Sequence, residues 1–282
     1  MSGHIIEDLQ AFKVPQDGHD VVLSIDRRIQ YLAHRELVKA VEANKAVAGA
    51  AIVLDAKTGE VLAMANVPTY NPNNPVNILG KSRNRAITDT FEPGSTLKPV
   101  TAAAALESGQ YQFDTKIQTS PGYMSIGPAT IHDSHPQGVL TVAQVIQKSS
   151  NVGASKIALT LDKQFIWNVY NELGLGHPEG IGFPGEGSGR VRPFKTWRPI
   201  EQATMSFGHG ISVTLLQLAR IYTVFANEGE LRPISLVKLS DVPVGQQVFS
   251  AATANHVKDM LEMVVQPGGT AVKAQVLGYR VA

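Results

Sequence analysis

The chain has 282 residues, 43% hydrophobic and 17% charged, enough for one large domain or two lobes with a real core. Twenty-five Lys and Arg stand against 24 Asp and Glu, a net charge of +1, which offers no electrostatic footprint for nucleic acid. There is no cysteine, so disulfides, thiolate catalysis and Cys-ligated zinc are excluded, and no apolar run approaches the roughly 18–20 residues that cross a bilayer.

Residues 20–25 read as a short strand. Residues 26–43 follow with apolar positions Ile29, Leu32, Ala33, Leu37, Ala40 and Val41 at helical spacing. Residues 50–55 and 60–66 are apolar runs around Ala56-Lys57-Thr58-Gly59, a hairpin signal. Residues 68–75 form a Pro/Asn loop. Ser95 then lies at the start of an alanine-rich helix that Gly109 stops. Residues 115–138, rich in Pro, Gly, Ser and His, read as irregular. Thr141 caps a short helix, Ser149-Ser150-Asn151 interrupts it, and residues 152–161 are helical again. A helix over 165–173 ends at Gly174, and a Gly/Pro-rich loop covers 176–196. Residues 201–210 end in the loop Gly208-His209-Gly210. A helix over 214–227, a strand over 233–239 and a helix over 251–265 complete the reading, with a further strand starting at 278–282. Strands at both ends and helices between predict a helical lobe set into an α/β (α+β) sheet: sheet part about 15–70 and 230–282, helical lobe about 85–228.

The chemistry concentrates at Ser95-Thr96-Leu97-Lys98. Pro93 and Gly94 turn the chain, so Ser95 falls near a helix N-terminus, where free N–H groups and the dipole favour negative charge. Lys98 follows on the same face. Pro99 is harmless in a first turn. A hydroxyl beside an amine at a positive helix end can be deprotonated and attack a carbonyl. Lys148-Ser149-Ser150-Asn151 sits further on, between two helices. S-x-x-K, S-x-N and K-T-G together form a penicillin-interacting site, but each has decoys here. Ser235-Leu236-Val237-Lys238 lies in a strand-like stretch, Ser82-Arg83-Asn84 in a polar loop, and Lys57-Thr58-Gly59 in a hairpin turn ahead of the nucleophile. Context selects Ser95, Lys98, Ser149 and Asn151.

Glu92-Pro93-Gly94-Ser95-Thr96-Leu97-Lys98-Pro99, Lys148 to Gly153, Leu54 to Ala63, Asn84-Arg85-Ala86 and Trp197 to Gly210 carry a resemblance along nearly the whole chain. It resembles the transpeptidase domain of class B penicillin-binding proteins, particularly the septal, cell-division type. The resemblance implies an antiparallel sheet covered by helices, an all-helical lobe and a cleft between them. It also implies a serine D,D-transpeptidase with no metal and no organic cofactor. Ser95 would attack the D-Ala-D-Ala carbonyl of a peptidoglycan stem peptide after Lys98, held near a neutral pKa, takes its proton. Ser149 would relay that proton to the leaving amine, and Asn151 would bond the lysine and the acyl side chain. Gly208, His209 and Gly210 would line the substrate cleft. β-Lactam antibiotics would leave a long-lived ester on Ser95. The parent would sit at the periplasmic face of the bacterial inner membrane, anchored by a helix outside this chain, with division proteins as partners. The chain itself would make no membrane contact.

The chain departs from that pattern at its end. The K-T-G strand is expected just beyond Ala282, with further strands and a final helix, so a domain truncated there is expected to be catalytically impaired. Loss of one oxyanion-hole donor alone costs about 10²–10³ in rate. Rapid stoichiometric labelling by a fluorescent penicillin would refute that impairment. Rival readings are a hydrolase (D,D-carboxypeptidase or β-lactamase), a β-lactam sensor and a division scaffold. A hydrolase needs a deacylating base, and Glu172 and Glu201 stand in no pattern recognised for one. Ser149 and Asn151 could instead cap the helix at Val152, with Ser150 facing away. His132 and His135, at i, i+3 spacing with Asp133 between them, make a metal site conceivable, but they lie in an irregular loop with no third ligand in view.

Overall fold

A computed structural model of the chain describes residues 16–74 and 80–282; the end of the expected 68–75 loop, at Pro75, lies outside the described residues. Helix α1 (Arg27–Ala43) starts where Asp26 accepts from the N–H groups of Arg28 and Ile29. Strands β1 (Gly49–Leu54) and β2 (Val61–Val67) pair antiparallel, from Gly49 opposite Val67 to Leu54 opposite Val61. Val61, Ala63 and Ala65 alternate into the core, as a strand's two-residue period requires. The Gln30 amide exchanges bonds of 2.7 and 3.0 Å with the Met64 backbone, locking α1 onto β2.

The segments read as strands over 20–25 and 233–239 shrink to single bridges, Leu23 with Val237 and Glu60 with Ser235. The Ser24 hydroxyl donates to Val61 O and Ser235 O, beside backbone bonds from Ser24 N to Leu236 O and from Lys238 N to Val22 O that hold the two segments together.

The helical lobe follows. Helix α2 (Arg85–Thr88) and strand β3 (Thr90–Phe91) lead to a 3₁₀ turn, Gly94–Leu97, which runs into α3 (Lys98–Glu107). The stretch read as irregular, 115–138, holds three short strands, β4 (Lys116–Gln118), β5 (Tyr123–Ile126) and β6 (Ala129–His132), and β7 (Val139–Thr141) follows it directly. They pair as β4–β7 and β5–β6, so the lobe carries two hairpins and is not all helix. Runs of three or four residues are too short to show a period, and their Gly and Pro turns dominate the composition.

Helices α4 (Val142–Gln147), α5 (Asn151–Thr160) and α6 (Lys163–Glu172) come next. After the 176–196 loop come α7 (Pro199–Met205), β8 (Val213–Thr214), which pairs with β3, and α8 (Leu215–Ala226). Thr141 and Thr214 each close a capping box, with Gln144 and Gln217. Strands β9 (Glu230–Leu231) and β10 (Gln246–Gln247) pair before α9 (Ala251–Val265).

Helix α9 packs against α3, α4 and α8, so residues 251–265 join the helical lobe instead of the sheet side. Residues 278–282, read as the start of a strand, pair with no strand among the described residues. A turn bond from Tyr279 N to Val276 O and an Arg280–Glu262 ion pair of 2.6 Å hold them near α9. The core gathers around α3, where Val100 and Ala102 to Ala105 are buried. Small side chains there let α5 and α9 approach closely.

Candidate active site

The turn that carries Ser95 is built by two close approaches. Gly94 donates to Gly208 O at 3.2 Å. A Cβ on Gly208, whose φ is +80°, would stand 2.2 Å from Gly94 O, so only glycine fits that position. Tyr222 of α8 donates to Thr96 O at 2.9 Å, and the Thr96 hydroxyl to Pro93 O at 2.6 Å. Burial pushes the Tyr222 phenol up to about 12, which keeps it a donor.

Ser95 therefore sits in the 3₁₀ turn, one turn before the α-helix proper. Three residues per turn eclipse positions i and i+3, and Lys98 Nζ lies 3.0 Å from Ser95 Oγ. The serine is exposed while the lysine is 2% exposed, so the hydroxyl is open to solvent above a buried amine.

Ser149 reaches the same amine from the other side. Past α4 the chain bends sharply: Ser149 takes the left-handed φ of 56°, and Ser150 N returns to Val145 O. That kink points both Ser149 oxygens at Lys98. Nζ is 2.6 Å from the carbonyl and 2.9 Å from the hydroxyl. Burial lowers the Lys98 pKa to about 8, opposed by the Asp133 charge. A substantial neutral fraction near physiological pH makes it a competent base.

Asn151 departs from expectation. Its amide donates to His132 O at 2.9 Å, and the expected bond to Lys98 is not made. Neither Ser149 nor Asn151 caps α5. Ser150 does, accepting from Gly153 N, and it faces away from Lys98. Asp133 accepts from Ser150 and Val152 N, so its carboxylate serves the helix start. Glu201 closes the start of α7 with Arg198. Glu172 is exposed on α6.

At the rim, Glu92 accepts from Gly210 N at 2.8 Å and lies 3.8 Å from His209 Nδ1. Glu92 and His209 are exposed. The decoys separate cleanly. Lys238 pairs with Glu60, Ser235 bonds Val237 O, and Lys57 N and Thr58 N turn on Asp55. Sequence reasoning missed Tyr222, which lies within the helix read over 214–227, and Asp133 as a support of the second motif. No local pattern marks either partner.

Residues 49–282 match the family model described as the penicillin binding protein transpeptidase domain. The chain belongs to the penicillin-binding-protein transpeptidase family. It is 45% identical to the probable peptidoglycan D,D-transpeptidase PenA of Neisseria gonorrhoeae, over 99% of this chain and 48% of that protein. Against peptidoglycan D,D-transpeptidase FtsI of Escherichia coli K12 the figures are 44%, 99% and 47%. The chain thus spans about half the length of the curated relatives it matches. The TP domain of Burkholderia pseudomallei penicillin-binding protein 3 superposes with a TM-score of 0.86 at 48% identity, over 94% of this chain and 76% of that one. These neighbours bear out the expected helix-and-antiparallel-strand fold. No described helix is long and apolar enough to cross a membrane.

Proposed function

We propose that this domain is the acyl-transfer unit of a serine D,D-transpeptidase that cross-links peptidoglycan stem peptides during septal wall synthesis. One observation carries the reading: a buried amine shared by two hydroxyls, 3.0 and 2.9 Å away, that come from separate elements. Neutral Lys98 takes the Ser95 proton as Oγ adds to the D-Ala-D-Ala carbonyl. The tetrahedral adduct collapses, Ser149 passes its proton to the departing D-Ala amine while taking the one held on Lys98, and an ester remains on Ser95. An amine of a second stem peptide then attacks the ester and gives its proton through Ser149 to Lys98, which returns it to the departing Ser95 Oγ. β-Lactams enter at the first step and stop there. The parent works at the periplasmic face of the inner membrane beside division proteins, a placement supported by the likeness to FtsI.

Mass spectrometry after incubation with a fluorescent penicillin tests this. One adduct on the Ser95 peptide supports it, and an adduct elsewhere removes it. Hours-long persistence of the ester fits a transpeptidase, whereas release in seconds fits a hydrolase.

A further inference from the structure

A cavity of about 230 Å³ opens on the rim of the site, lined by Glu92, Arg190, Gly210, Ile211 and Ser212. Backbone bonds set its walls. Arg190 N donates to Ser212 O at 2.8 Å and Ser212 N to Arg190 O at 3.1 Å, a two-bond bridge that puts both side chains on one face. Gly189, at a φ of +64°, lets the segments touch, since a Cβ there would stand 2.2 Å from Ser212 O. Trp197, 4% exposed, donates to Arg192 O at 2.9 Å and fixes the far end of the same segment.

The cavity holds both signs of charge. The Arg190 and Arg192 guanidinium groups enter no ion pair among the described residues. Arg192 Nη2 lies 3.9 Å from where a Gly210 Cβ would be, which adds positive charge at the rim. Glu92 supplies the negative charge. One of its oxygens accepts from Gly210 N and the other lies 3.8 Å from His209 Nδ1, and a carboxylate has capacity for further donors. Ile211, 1% exposed, adds an apolar patch. Glu92 stands three residues before Ser95, at most about 11 Å along the chain. The catalytic steps above use neither arginine.

We propose that this cavity reads the acyl donor by taking a side chain that ends in a carboxylate and an ammonium group on one carbon. Arg190 forms a bidentate pair with the carboxylate, Ser212 donates to it, and Glu92 accepts from the ammonium. The departing and incoming amines both pass through Ser149 in the reaction above, which leaves the Glu92–Gly210 rim to the acyl donor. This rests on the reading of Ser95 as nucleophile. A matched pair of charges discriminates because a ligand lacking either one leaves a charge of the site without its partner.

Four penicillins test it. Their acyl side chains are equal in length and end in both groups, in the carboxylate alone, in the ammonium alone, or in a methyl group. Ser95 labelling is timed by mass spectrometry. Each rate is divided by that of the methyl-ended compound in the same variant, which cancels any general effect on acylation. In wild type the doubly charged side chain gains about tenfold, the scale of a bidentate charge-assisted contact. In Arg190→Gln that gain is lost, together with any gain of the carboxylate-ended compound. Glu92→Gln keeps an acceptor for Gly210 N, and there the two ammonium-bearing compounds lose their gain. Lys195→Gln removes an exposed cation of the same segment and leaves every ratio as it was. No gain in wild type, an equal gain in Arg190→Gln, or an equal loss in Lys195→Gln overturns the proposal. Should no penicillin label Ser95, the reading beneath is removed and NMR decides the cavity. The methylamide of the doubly charged side chain then shifts the Gly210 and Ser212 amide signals of wild type and not those of Arg190→Gln; a wild type without these shifts overturns the proposal.

Discussion

Lys98 Nζ lies 2.6 Å from the main-chain oxygen of Ser149 and 2.9 Å from its hydroxyl, although 51 positions separate the two residues. The amine is held by one group that can only accept and two hydroxyls that can do either. Its hydrogens therefore have fixed directions, and a neutral amine aims its lone pair at the remaining hydroxyl proton.

The lysine's pKa sets two pH dependences. Acylation of Ser95 rises with pH and reaches half its plateau near pH 8, as Lys98 loses its proton. Stability follows from the same shift. The folded value, about 8, lies below the ordinary 10.5, so between these limits the unfolded chain binds more protons. Stability therefore rises with pH across that window, by about 3 kcal/mol in total at about 1.4 per unit. Urea titrations of wild type and Lys98→Met at pH 7.5 and 10 check this: the gain with pH belongs to the wild type only.

Ser149→Ala removes the hydroxyl and leaves the carbonyl contact to Lys98. Acylation is expected to fall about 10²-fold or more, the usual scale for a proton-transfer group, with little change in melting temperature. Ser149→Gly loses the same rate. It gains stability, because the left-handed φ of 56° costs glycine nothing. Labelling kinetics and thermal melts separate the two effects.

Gly208→Ala puts a methyl 2.2 Å from Gly94 O at a φ of +80°. Both partners are backbone, so the Ser95 turn or the 208–210 loop must move. We expect a loss of about 1–3 kcal/mol from backbone strain and slower acylation, read from melts and labelling of one preparation.

Away from the groove, Arg220 Nη1 lies 2.6 Å from Glu179, whose side chain is 4% exposed. Burial raises the Glu179 pKa against the pull of Arg220, and its second oxygen has no partner. Arg220→Met strands the carboxylate at a cost of about 3–5 kcal/mol. Adding Glu179→Gln recovers much of that loss in a urea-denaturation cycle.

Much of this was legible in the sequence, for physical reasons. Asp26, Thr141 and Thr214 mark helix starts because side-chain caps are local, and the β1–β2 hairpin shows its glycine turn. Ser95 and Lys98 are three residues apart, so a single turn joins them. What stayed hidden depends on partners distant in the chain. The small hairpins within 116–141 have strands too short to show a period. Asn151 turns to His132 because the β6 corner offers a carbonyl, and Asp133 looked like a conceivable metal ligand because its bonds to Ser150 and Val152 exist only after folding. The 20–25 and 233–239 segments meet at a single antiparallel bridge, Leu23 with Val237.

The most direct check compares wild type, Ser95→Ala and Lys98→Met after exposure to a fluorescent penicillin, with adducts located by peptide mass spectrometry. The geometry predicts one adduct on the Ser95 peptide, none in Ser95→Ala, and labelling slowed at least about 10³-fold in Lys98→Met. An adduct that forms on another residue, or forms equally fast without the lysine, would contradict it.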